Sequence, residues 1–283
     1  MGNMFEVAGK VAVVTGGAGV LCGEMARALA KEKVKVAILD FNEEAAKKVA
    51  AQIKADGGAA IAVKTNVLEK ASLEAAKDAV LKEFGKVDIL INGAGGNNPK
   101  ATTTKEQLST ADLKTKDEGV KTFFDLDPDG VQFVFNLNFL GTLLPTQVFA
   151  RVMAEAGQGI IVNVSSMNAF RPLTKVPAYS AAKSAISNFT QWLSVHMAPV
   201  NIRVNAIAPG FFLTEQNRFL MTDEKTGELT PRGNKVLTHT PMGRFGNPED
   251  LTGTLLWLIS DASSFVTGVV VPVDGGFAAY SGV

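Results

Sequence analysis

Seven short apolar runs recur along the chain, separated by longer stretches of mixed polarity. The runs cover residues 11–14, 34–39, 60–63, 89–91, 160–164, 202–207 and 269–273, and helix-like stretches cover 43–53, 72–84, 141–154, 178–197 and 248–259. Apolar strands that alternate with helices predict a parallel sheet covered on both faces. With right-handed crossovers, seven such strands form a doubly wound sheet. We therefore expect an α/β fold, and we expect residues 1–283 to form a single domain.

Composition narrows the classes of protein that this fold could represent. A chain of 283 residues with 46% hydrophobic residues can bury a large core. With a formal net charge of +0, the chain lacks the excess of basic residues expected of a nucleic-acid-binding protein. One cysteine, Cys22, and two histidines leave no disulfide framework and no Cys/His zinc cluster. No apolar run approaches 18 residues, so we expect a cytoplasmic protein with no nucleic-acid, membrane or metal partner.

A candidate proton-transfer site lies in the third quarter of the chain. Tyr179 and Lys183 stand four residues apart in a predicted helix, so the phenol and the ammonium share one face. An ammonium beside a phenol lowers the pKa of the tyrosine. A hydroxyl from the upstream pair Ser165–Ser166 would complete a site that interconverts an alcohol and a carbonyl. The same spacing also fits a surface contact, and the start of the chain decides between these interpretations.

The start of the chain has the pattern of a dinucleotide-binding unit. A short apolar run is followed by a glycine-rich turn and an alanine-rich stretch of high helix propensity. This order presents backbone N–H groups and a positive helix end to a pyrophosphate. The next apolar run ends at Asp40, where an acid can bind the ribose 2′-hydroxyl of NAD. Asp40 would repel the 2′-phosphate of NADP, and Phe41-Asn42 supplies no cation, so NAD is favoured. The alternative for Asp40 is a solvated acid at a strand end.

Together these features resemble the short-chain dehydrogenase/reductase family. The glycine segment of that family begins at Thr15-Gly16, and its Asn-Asn-Ala-Gly motif corresponds to Asn92-Gly93-Ala94-Gly95. Further matches are Asn138, Ser166, Tyr179, Lys183, Pro209-Gly210 with Thr214, and Val273-Asp274-Gly275-Gly276. The resemblance runs from about Gly9 to Gly276 and implies a Rossmann-type fold. It also implies an NAD(P)-dependent oxidoreductase that acts on CH–OH groups and assembles as a homotetramer.

The resemblance assigns a role to each matching residue. Tyr179 would be the general acid/base, and Lys183 would contact the nicotinamide ribose and keep the phenol acidic. Ser166 would hold the carbonyl, and is preferred to Ser165 because it stands thirteen residues before the tyrosine. Asn138 would hold a water that relays protons to the lysine. The implied cofactor-binding positions are Gly16, Ala18, Gly19, Leu21, Asp40, Asn66, Val67, Asn92, Ala94, Tyr179, Lys183, Pro209, Gly210 and Thr214.

The chain departs from the family pattern at the glycine turn and near the adenine. The second and third glycine positions of the family fall on Val20 and Cys22, whereas this chain has Gly19 and Gly23. We therefore expect a reshaped turn, with Cys22 as a small packed residue and not a nucleophile. Asn66 stands where the family has an aspartate, and because an amide still donates and accepts hydrogen bonds, we expect cofactor binding to be kept.

Asn92 and Asn138 are 46 residues apart, about twice the separation usual in the family, and the extra length lies in residues 96–131. Asp127 followed by Pro128 predicts an N-cap and a first turn that open the helix containing Asn138. Long loops in compact domains are functional or disordered, and Phe123 and Phe124 suggest a segment that docks on the protein. We interpret it as an insertion that covers the substrate. The alternative is an elaboration of the surface or of a subunit contact.

Polar residues expected to border the site indicate the substrate class. They are Asn97, Asn98, Lys100, Asn168, Arg171, Lys175, Asn217 and Arg218. Amides suit a polyhydroxylated substrate and cations suit a carboxylate. We expect Asn97 and Asn168 to bind substrate together with Ser166 and Tyr179.

A closer resemblance to one subgroup of the family points to a specific pair of sugar acids. The stretches 95–103, 165–170 and 210–218 look like a bacterial subgroup described as D-mannonate oxidoreductase or fructuronate reductase. The resemblance implies reduction of D-fructuronate to D-mannonate in carbohydrate metabolism. The alternatives are another sugar-acid or polyol dehydrogenase, such as gluconate 5-dehydrogenase, or a dinucleotide-binding sensor without turnover.

Overall fold

A computed structural model describes residues 3–114, 119–214, 218–223 and 226–282. Within these ranges, seven parallel strands form one sheet in the order β3-β2-β1-β4-β5-β6-β7. They are β1 Val11–Thr15, β2 Lys35–Asp40, β3 Ala60–Lys64, β4 Ile89–Asn92, β5 Gly159–Val164, β6 Ile202–Pro209 and β7 Val270–Val273. The predicted strands and the doubly wound α/β class are confirmed.

Helices cover both faces of the sheet, which is why its central strands are apolar on both sides. They are α1 Val20–Lys31, α2 Glu43–Ala55, α3 Lys70–Phe84, α4 Thr110–Lys114, α5 Pro128–Phe135, α6 Gly141–Glu155, α7 Pro177–Met197, α8 Arg218–Met221, α9 Pro231–Thr238 and α10 Thr252–Ile259. Side chains of α1, α2 and α10 pack in the core on one face. Side chains of α3, α6 and α7 pack in the core on the other.

The helix that carries Asn138 is continuous from α5 to α6. Asp127 is its N-cap and accepts from the N–H of Asp129, and Pro128 occupies the first turn, as predicted. A π-helical turn, Asn136–Leu140, joins the two α-helical parts. Among the described residues this helix, Pro128–Glu155, is the one long and apolar enough to cross a membrane by length and composition. Half of its most apolar window is buried inside the protein, as expected of a core helix.

The insertion after β4 is held by polar contacts. The N–H of Thr104 donates to the carbonyl of Lys121, and the N–H of Lys121 donates to Thr104 Oγ1, so residues 104 and 121 close the base of a loop. The N–H of Thr103 donates to the carbonyl of Lys175, which ties the insertion to the start of α7.

The expectation that the phenylalanines of the insertion dock on the protein is wrong. Phe123 and Phe124 are each 68% exposed. A capping box between Thr122 and Asp125 fixes this turn, so apolar burial is not what orders the segment.

Candidate active site

The carboxyl ends of β1, β4, β5 and β6 open into a cleft of about 730 Å³. Predicted positions that line it are Gly16, Gly19, Leu21, Asp40, Asn66, Val67, Ala94, Ser166, Tyr179, Lys183, Pro209 and Gly210. It also contains residues that were not predicted, namely Val20, Cys22, Phe41, Thr65, Leu68, Gly93, Gly95, Gly96, Phe133, Leu137, Val164 and Ser165. The cleft therefore joins the predicted dinucleotide positions to the predicted chemical group.

The glycine turn ends in an uncapped helix N-terminus at the floor of the cleft. Gly16 has φ +63°, a left-handed conformation that favours glycine, and a Cβ there would lie 2.9 Å from Ala94 Cα. Gly19 is the N-cap of α1, no side chain caps the helix, and no acidic residue lies in its first turn. Free N–H groups and the helix dipole therefore point to an anion-binding site, and the residues fit a pyrophosphate.

Asp40 is held in place at the end of β2. Its Oδ2 accepts from the N–H of Ala18 at 3.0 Å, and its Oδ1 accepts from the N–H of Asn42 at 2.9 Å. Each oxygen keeps a lone pair for a ribose hydroxyl. Ala18 does not line the cleft, and its backbone N–H instead holds the carboxylate of Asp40 in place.

Asn66 has local partners at the wall of the cleft next to Val67. Its Nδ2 donates to Glu69 Oε1 at 2.7 Å, and its Oδ1 accepts from the N–H of Leu68 at 3.1 Å. These bonds fix the turn before α3. The amide is thus consistent with the expected position near the adenine, and it shapes the wall by ordering the turn.

The serine pair divides into a structural and a functional residue. Ser165 Oγ lies 2.8 Å from Ser187 Oγ and donates to the carbonyl of Lys183, so it anchors β5 to α7. Ser166 lies near enough to Tyr179 for its hydroxyl to lower the pKa of the phenol, and its Oγ accepts from the N–H of Asn168 at 3.2 Å. The geometry supports the prediction that Ser166, and not Ser165, belongs with the tyrosine.

The pKa of Tyr179 differs from the sequence-based expectation. Burial raises the pKa of its phenol above the usual 10.0, and the hydroxyl of Ser166 only partly offsets this. Lys183 is not among the causes of this shift; its Nζ donates to the carbonyl of Val164 at 2.8 Å and lies 5.6 Å from the ring centroid. The direction of the shift is opposite to the expectation that Lys183 keeps the phenol acidic.

Lys183, the cation that lines the cleft, has a lowered pKa. Only 4% of the residue is exposed, and burial lowers its pKa from 10.5 to about 8. Burial disfavours the charged form because the ammonium loses its hydration. A pKa near 8 places the proton of this lysine within the range in which proton-transfer groups operate.

Asn138 is buried behind the cleft and holds the turn after β4. Its Nδ2 donates to the carbonyl of Gly96 at 2.7 Å, and its Oδ1 accepts from the N–H of Gly96 at 3.3 Å. Its own carbonyl, in the π-helical turn, accepts from Thr142 Oγ1 at 2.8 Å. The side chain is thus occupied in positioning backbone, and π-helical turns of this kind are frequent at functional sites.

Asn92 is structural and does not line the cleft. Its Nδ2 donates to Thr146 Oγ1 and to Asn163 Oδ1, both at 2.9 Å, inside the core.

Thr15, which was not predicted as a site residue, fixes the turn after β4. Its Oγ1 accepts from the N–H groups of Gly93 and Ala94 at 3.1 and 3.3 Å. The Thr-Gly start of the motif was the signal that could have identified it.

The expected substrate residues are only partly brought together. Asn168 is buried beside Ser166, whereas Asn97 is exposed and donates to Thr102 Oγ1 at 3.0 Å. Other expected rim residues have partners of their own: Lys100 pairs with Asp127, and Arg171 donates to the carbonyl of Ala278. Thr214 and Arg218 are not among the residues that line the cleft. Asn217 lies outside the described residues.

The arrangement can exchange a proton with a substrate oxygen beside a bound dinucleotide. A phenol with a raised pKa is protonated at neutral pH and can donate, and Ser166 can hold the same oxygen. Lys183 lies next to this pair. The cleft therefore has the groups required to interconvert a ketone and a secondary alcohol.

Comparison with known proteins agrees with this chemistry. Curated relatives include an uncharacterized oxidoreductase of Haemophilus influenzae, 58% identical over 97% of this chain and 95% of the relative. Another is the uncharacterized oxidoreductase UxuB of Bacillus subtilis, 54% identical over 98% of both. A solved structure of a candidate D-mannonate oxidoreductase from Haemophilus, with bound NAD, has a TM-score of 0.92 and 56% identity over 98% of both chains.

The family model for short chain dehydrogenases matches residues 10–225. This match covers the dinucleotide positions from Gly16 to Gly210 and the whole of the Ser166–Tyr179–Lys183 group. Because it spans well over half of the chain, the protein belongs to the short-chain dehydrogenase/reductase family and is an oxidoreductase.

Proposed function

We propose that the protein is an NAD-dependent oxidoreductase that interconverts D-fructuronate and D-mannonate. The observation that carries the proposal is the placing of Ser166, Tyr179 and Lys183 in one cleft with Asp40 and the uncapped start of α1. The relative at 56% identity that is described as a candidate D-mannonate oxidoreductase supports the choice of substrate.

The residues of the cleft divide the chemistry between them. The nicotinamide, when bound, supplies or accepts the hydride. In the direction of reduction, Tyr179 donates its phenolic proton to the substrate oxygen, which becomes a hydroxyl. Ser166 holds that oxygen by a hydrogen bond. Lys183, with a pKa of about 8, is the neighbouring group from which the phenol can recover a proton. In the direction of oxidation the same proton moves back to Tyr179.

NAD is preferred to NADP because of the carboxylate at the end of β2. Asp40 is held by the N–H groups of Ala18 and Asn42, so it cannot easily turn away from a ribose. A 2′-phosphate in its place would meet a fixed negative charge. The bound NAD in the Haemophilus structure is consistent with this preference.

An acidic substrate is favoured by cations between the insertion and α9. We call Lys175, Arg232 and Lys235 the cation cluster. Lys235 Nζ lies 2.5 Å from Glu106 Oε2, and all three cations lower the pKa of Glu106, Lys235 most strongly. Three cations around one carboxylate leave an excess of positive charge. Lys175 is four residues before Tyr179, and its carbonyl is tied to the insertion at Thr103. A substrate carboxylate would find complementary charge there.

The insertion, residues 96–131, is proposed to cover the substrate. Its first residues contact Asn138 through Gly96, and Glu106 reaches α9 across the space between the two segments. A segment anchored at Asn138 and at α9 would limit access to the cleft. The exposed phenylalanines are compatible with the alternative of a subunit contact.

We propose a cytoplasmic homotetramer. Trp192 and Val195 on α7 are 58% and 76% exposed, and Leu140 on the π-helical turn is also exposed. Large apolar side chains that are exposed to solvent on helices are typical of subunit interfaces.

Light scattering after size-exclusion chromatography measures the mass of the assembly. If α7 forms an interface, Val195→Arg should reduce that mass.

Steady-state rates with a panel of keto acids test the substrate. The panel contains D-fructuronate, D-tagaturonate and 5-ketogluconate, each with NADH and with NADPH. We expect the highest kcat/KM for D-fructuronate with NADH. Activity on 5-ketogluconate alone would assign the protein to the gluconate 5-dehydrogenase type of chemistry. Tight binding of NADH without turnover of any member would favour a sensor.

A further inference from the structure

The turn after β4 is wedged between two groups of side chains. On one side is Cys22, in the first turn of α1: a Cβ built on Gly93 would lie 2.1 Å from Cys22 Sγ and 3.4 Å from Cys22 Cβ. On the other side, a Cβ built on Gly95 would lie 2.7 Å from Asn138 Oδ1 and 3.3 Å from Lys183 Nζ. The turn therefore packs closely against Cys22 at residue 93 and against Asn138 and Lys183 at residue 95.

We propose that Cys22 is a positioning residue that acts through Gly93 on Asn138 and Lys183. Its sulfur fills the volume that a side chain at position 93 would otherwise occupy, and so holds the turn of residues 93–95 against Asn138 and Lys183. Cys22 and Gly93 form a complementary pair, in which each residue requires the other.

The departures from the family motifs at positions 22 and 93, where Asn-Asn-Ala-Gly corresponds to Asn92-Gly93-Ala94-Gly95, then have one cause. The family pattern places glycine at position 22 and asparagine at position 93, whereas this chain has the larger residue at 22 and glycine at 93. The side-chain volume that the family pattern has at position 93, in the turn, is in this chain at position 22, in the helix. An asparagine beside Cys22 would overlap with the sulfur, and a glycine facing Gly93 would leave a cavity under the turn.

The sulfur is suited to this place because it remains uncharged. Cys22 is 6% exposed, and burial raises the pKa of its thiol to about 12. A neutral thiol packs as a small apolar group and adds no negative charge beneath the anion-binding end of the cleft. Its charged form would oppose a pyrophosphate and would also hold Lys183 protonated.

The turn has further fixed contacts that transmit a displacement at Cys22. Thr15 Oγ1 accepts from the N–H groups of Gly93 and Ala94, and the carbonyl of Thr15 would lie 2.9 Å from a Cβ on Gly93. Gly96 exchanges two hydrogen bonds with Asn138. A shift of the turn towards a cavity at position 22 would therefore lengthen the contacts with Asn138.

A double-mutant cycle tests the pair. The variants are Cys22→Gly, Gly93→Asn and Cys22→Gly/Gly93→Asn, with Cys22→Ser as the conservative replacement. Each is measured for thermal midpoint, for NADH affinity by fluorescence titration, and for kcat and KM. NADH binding and thermal stability do not depend on the identity of the substrate, so failure here is distinct from failure of the proposed function.

We expect each single variant to lose at least tenfold in kcat and to bind NADH more weakly. The double variant should be at least tenfold better than Gly93→Asn alone in both, with the remaining loss due to the contact between the new side chain and the carbonyl of Thr15. Cys22→Ser should lose less than Cys22→Gly. A merely structural role would lower the thermal midpoint and leave kcat of the folded fraction unchanged. Losses that simply multiply in the double variant would overturn the proposal.

Gly253→Asn provides the matched control, because a Cβ on Gly253 in α10 meets no atom within 4 Å. It should leave kcat and NADH affinity unchanged, which separates the effect of the site from the general cost of replacing glycine. Where Gly93→Asn does not fold, Gly93→Ala and Cys22→Gly/Gly93→Ala replace it. A double variant no better than Gly93→Ala in folding or binding would equally overturn the pairing.

Discussion

At the scale of single residues, burial outweighs the charge of a neighbour in setting the pKa values of the cleft. Tyr179 has a raised pKa and Lys183 a lowered one, and both shifts have desolvation as the largest cause. A protonated phenol next to a lysine with a pKa of about 8 favours donation of a proton to a ketone at neutral pH.

Tyr179→Phe should abolish turnover while leaving NADH affinity largely intact. The ring and its packing are retained, but the proton donor and the interaction with the Ser166 hydroxyl are lost. Loss of a positioned proton donor lowers the rate by about 10²–10⁴-fold. Steady-state kinetics and NADH titration measure the two quantities. A variant that keeps more than about a tenth of wild-type kcat would contradict the role of Tyr179.

Lys183→Met should change how the stability of the cofactor-free protein depends on pH. Between pH 8 and 10.5 the unfolded lysine binds a proton that the folded one has released, so the wild type gains stability as pH rises through this window. The shift of the pKa from 10.5 to about 8 corresponds to about 3 kcal/mol at most.

Denaturant unfolding of wild type and Lys183→Met at several pH values between 7.5 and 10 measures this difference. The variant should be relatively more stable at the acidic end, and its advantage should shrink as pH rises. Stability curves that run parallel over this window would mean that the folded lysine has an ordinary pKa.

Asp40→Ala should weaken NAD binding and narrow the preference over NADP. The bond to the ribose and the repulsion of the 2′-phosphate disappear together. The ratio of kcat/KM for NADH and NADPH measures the preference, and Glu44→Ala on the exposed face of α2 provides a control. A wild-type enzyme that already prefers NADPH would show that Asp40 has been misinterpreted.

At the scale of elements, the proposed role of the insertion gives a prediction of its own. Thr104 and Lys121 pair at its base, so residues 105–120 can be replaced by two glycines without stretching the chain. If the insertion covers the substrate, this variant should keep NADH affinity within about threefold. It should lose at least tenfold in kcat/KM for D-fructuronate, mainly through KM.

Glu106→Gln is the matched control for the loop replacement, since it removes only the ion pair with Lys235. Exposed ion pairs contribute about 0–1 kcal/mol, so its thermal midpoint should change little. A loop variant with unchanged kcat/KM but a smaller assembly would instead favour the subunit-contact interpretation.

Elements with a strong pattern could be predicted from the sequence, and those held by local polar contacts could not. The strands are apolar on both faces because helices cover both, so their positions stand out in the sequence. The short helices α4, α8 and α9 carry no long apolar periodicity and were missed. Phe123 and Phe124 were misjudged because a capping box, and not burial, orders their turn.

The residues of the site divide in the same way: some could be predicted from their spacing in the sequence, and the roles of others depend on packing. Ser166, Tyr179 and Lys183 could be predicted because their spacing reflects one chemical arrangement. The role of Thr15 depends on which backbone groups its hydroxyl contacts, and the fit of Cys22 against Gly93 depends on packing between distant segments. The direction of the pKa shift of Tyr179 depends on burial, which residue spacing does not reveal.

At the scale of the whole molecule, the proposed function combines the dinucleotide cleft with the cation cluster of Lys175, Arg232 and Lys235, which the carboxylate of the substrate would contact. D-Fructuronate and D-fructose differ at one end of the molecule, where the first has a carboxylate and the second a CH₂OH group. The ketone and the remaining hydroxyls are the same. The cation cluster would therefore interact with one and not the other, while the chemistry at Tyr179 would be identical.

The central claim is tested most directly by kcat/KM for these two sugars, followed through the oxidation of NADH. Hydrogen bonds to charged groups contribute about 1.5–3 kcal/mol, so losing the carboxylate should cost at least about tenfold. We expect D-fructuronate to be the better substrate by about 10²-fold, and Lys235→Gln to reduce that ratio. Equal kcat/KM for the two sugars would contradict an enzyme built for a sugar acid.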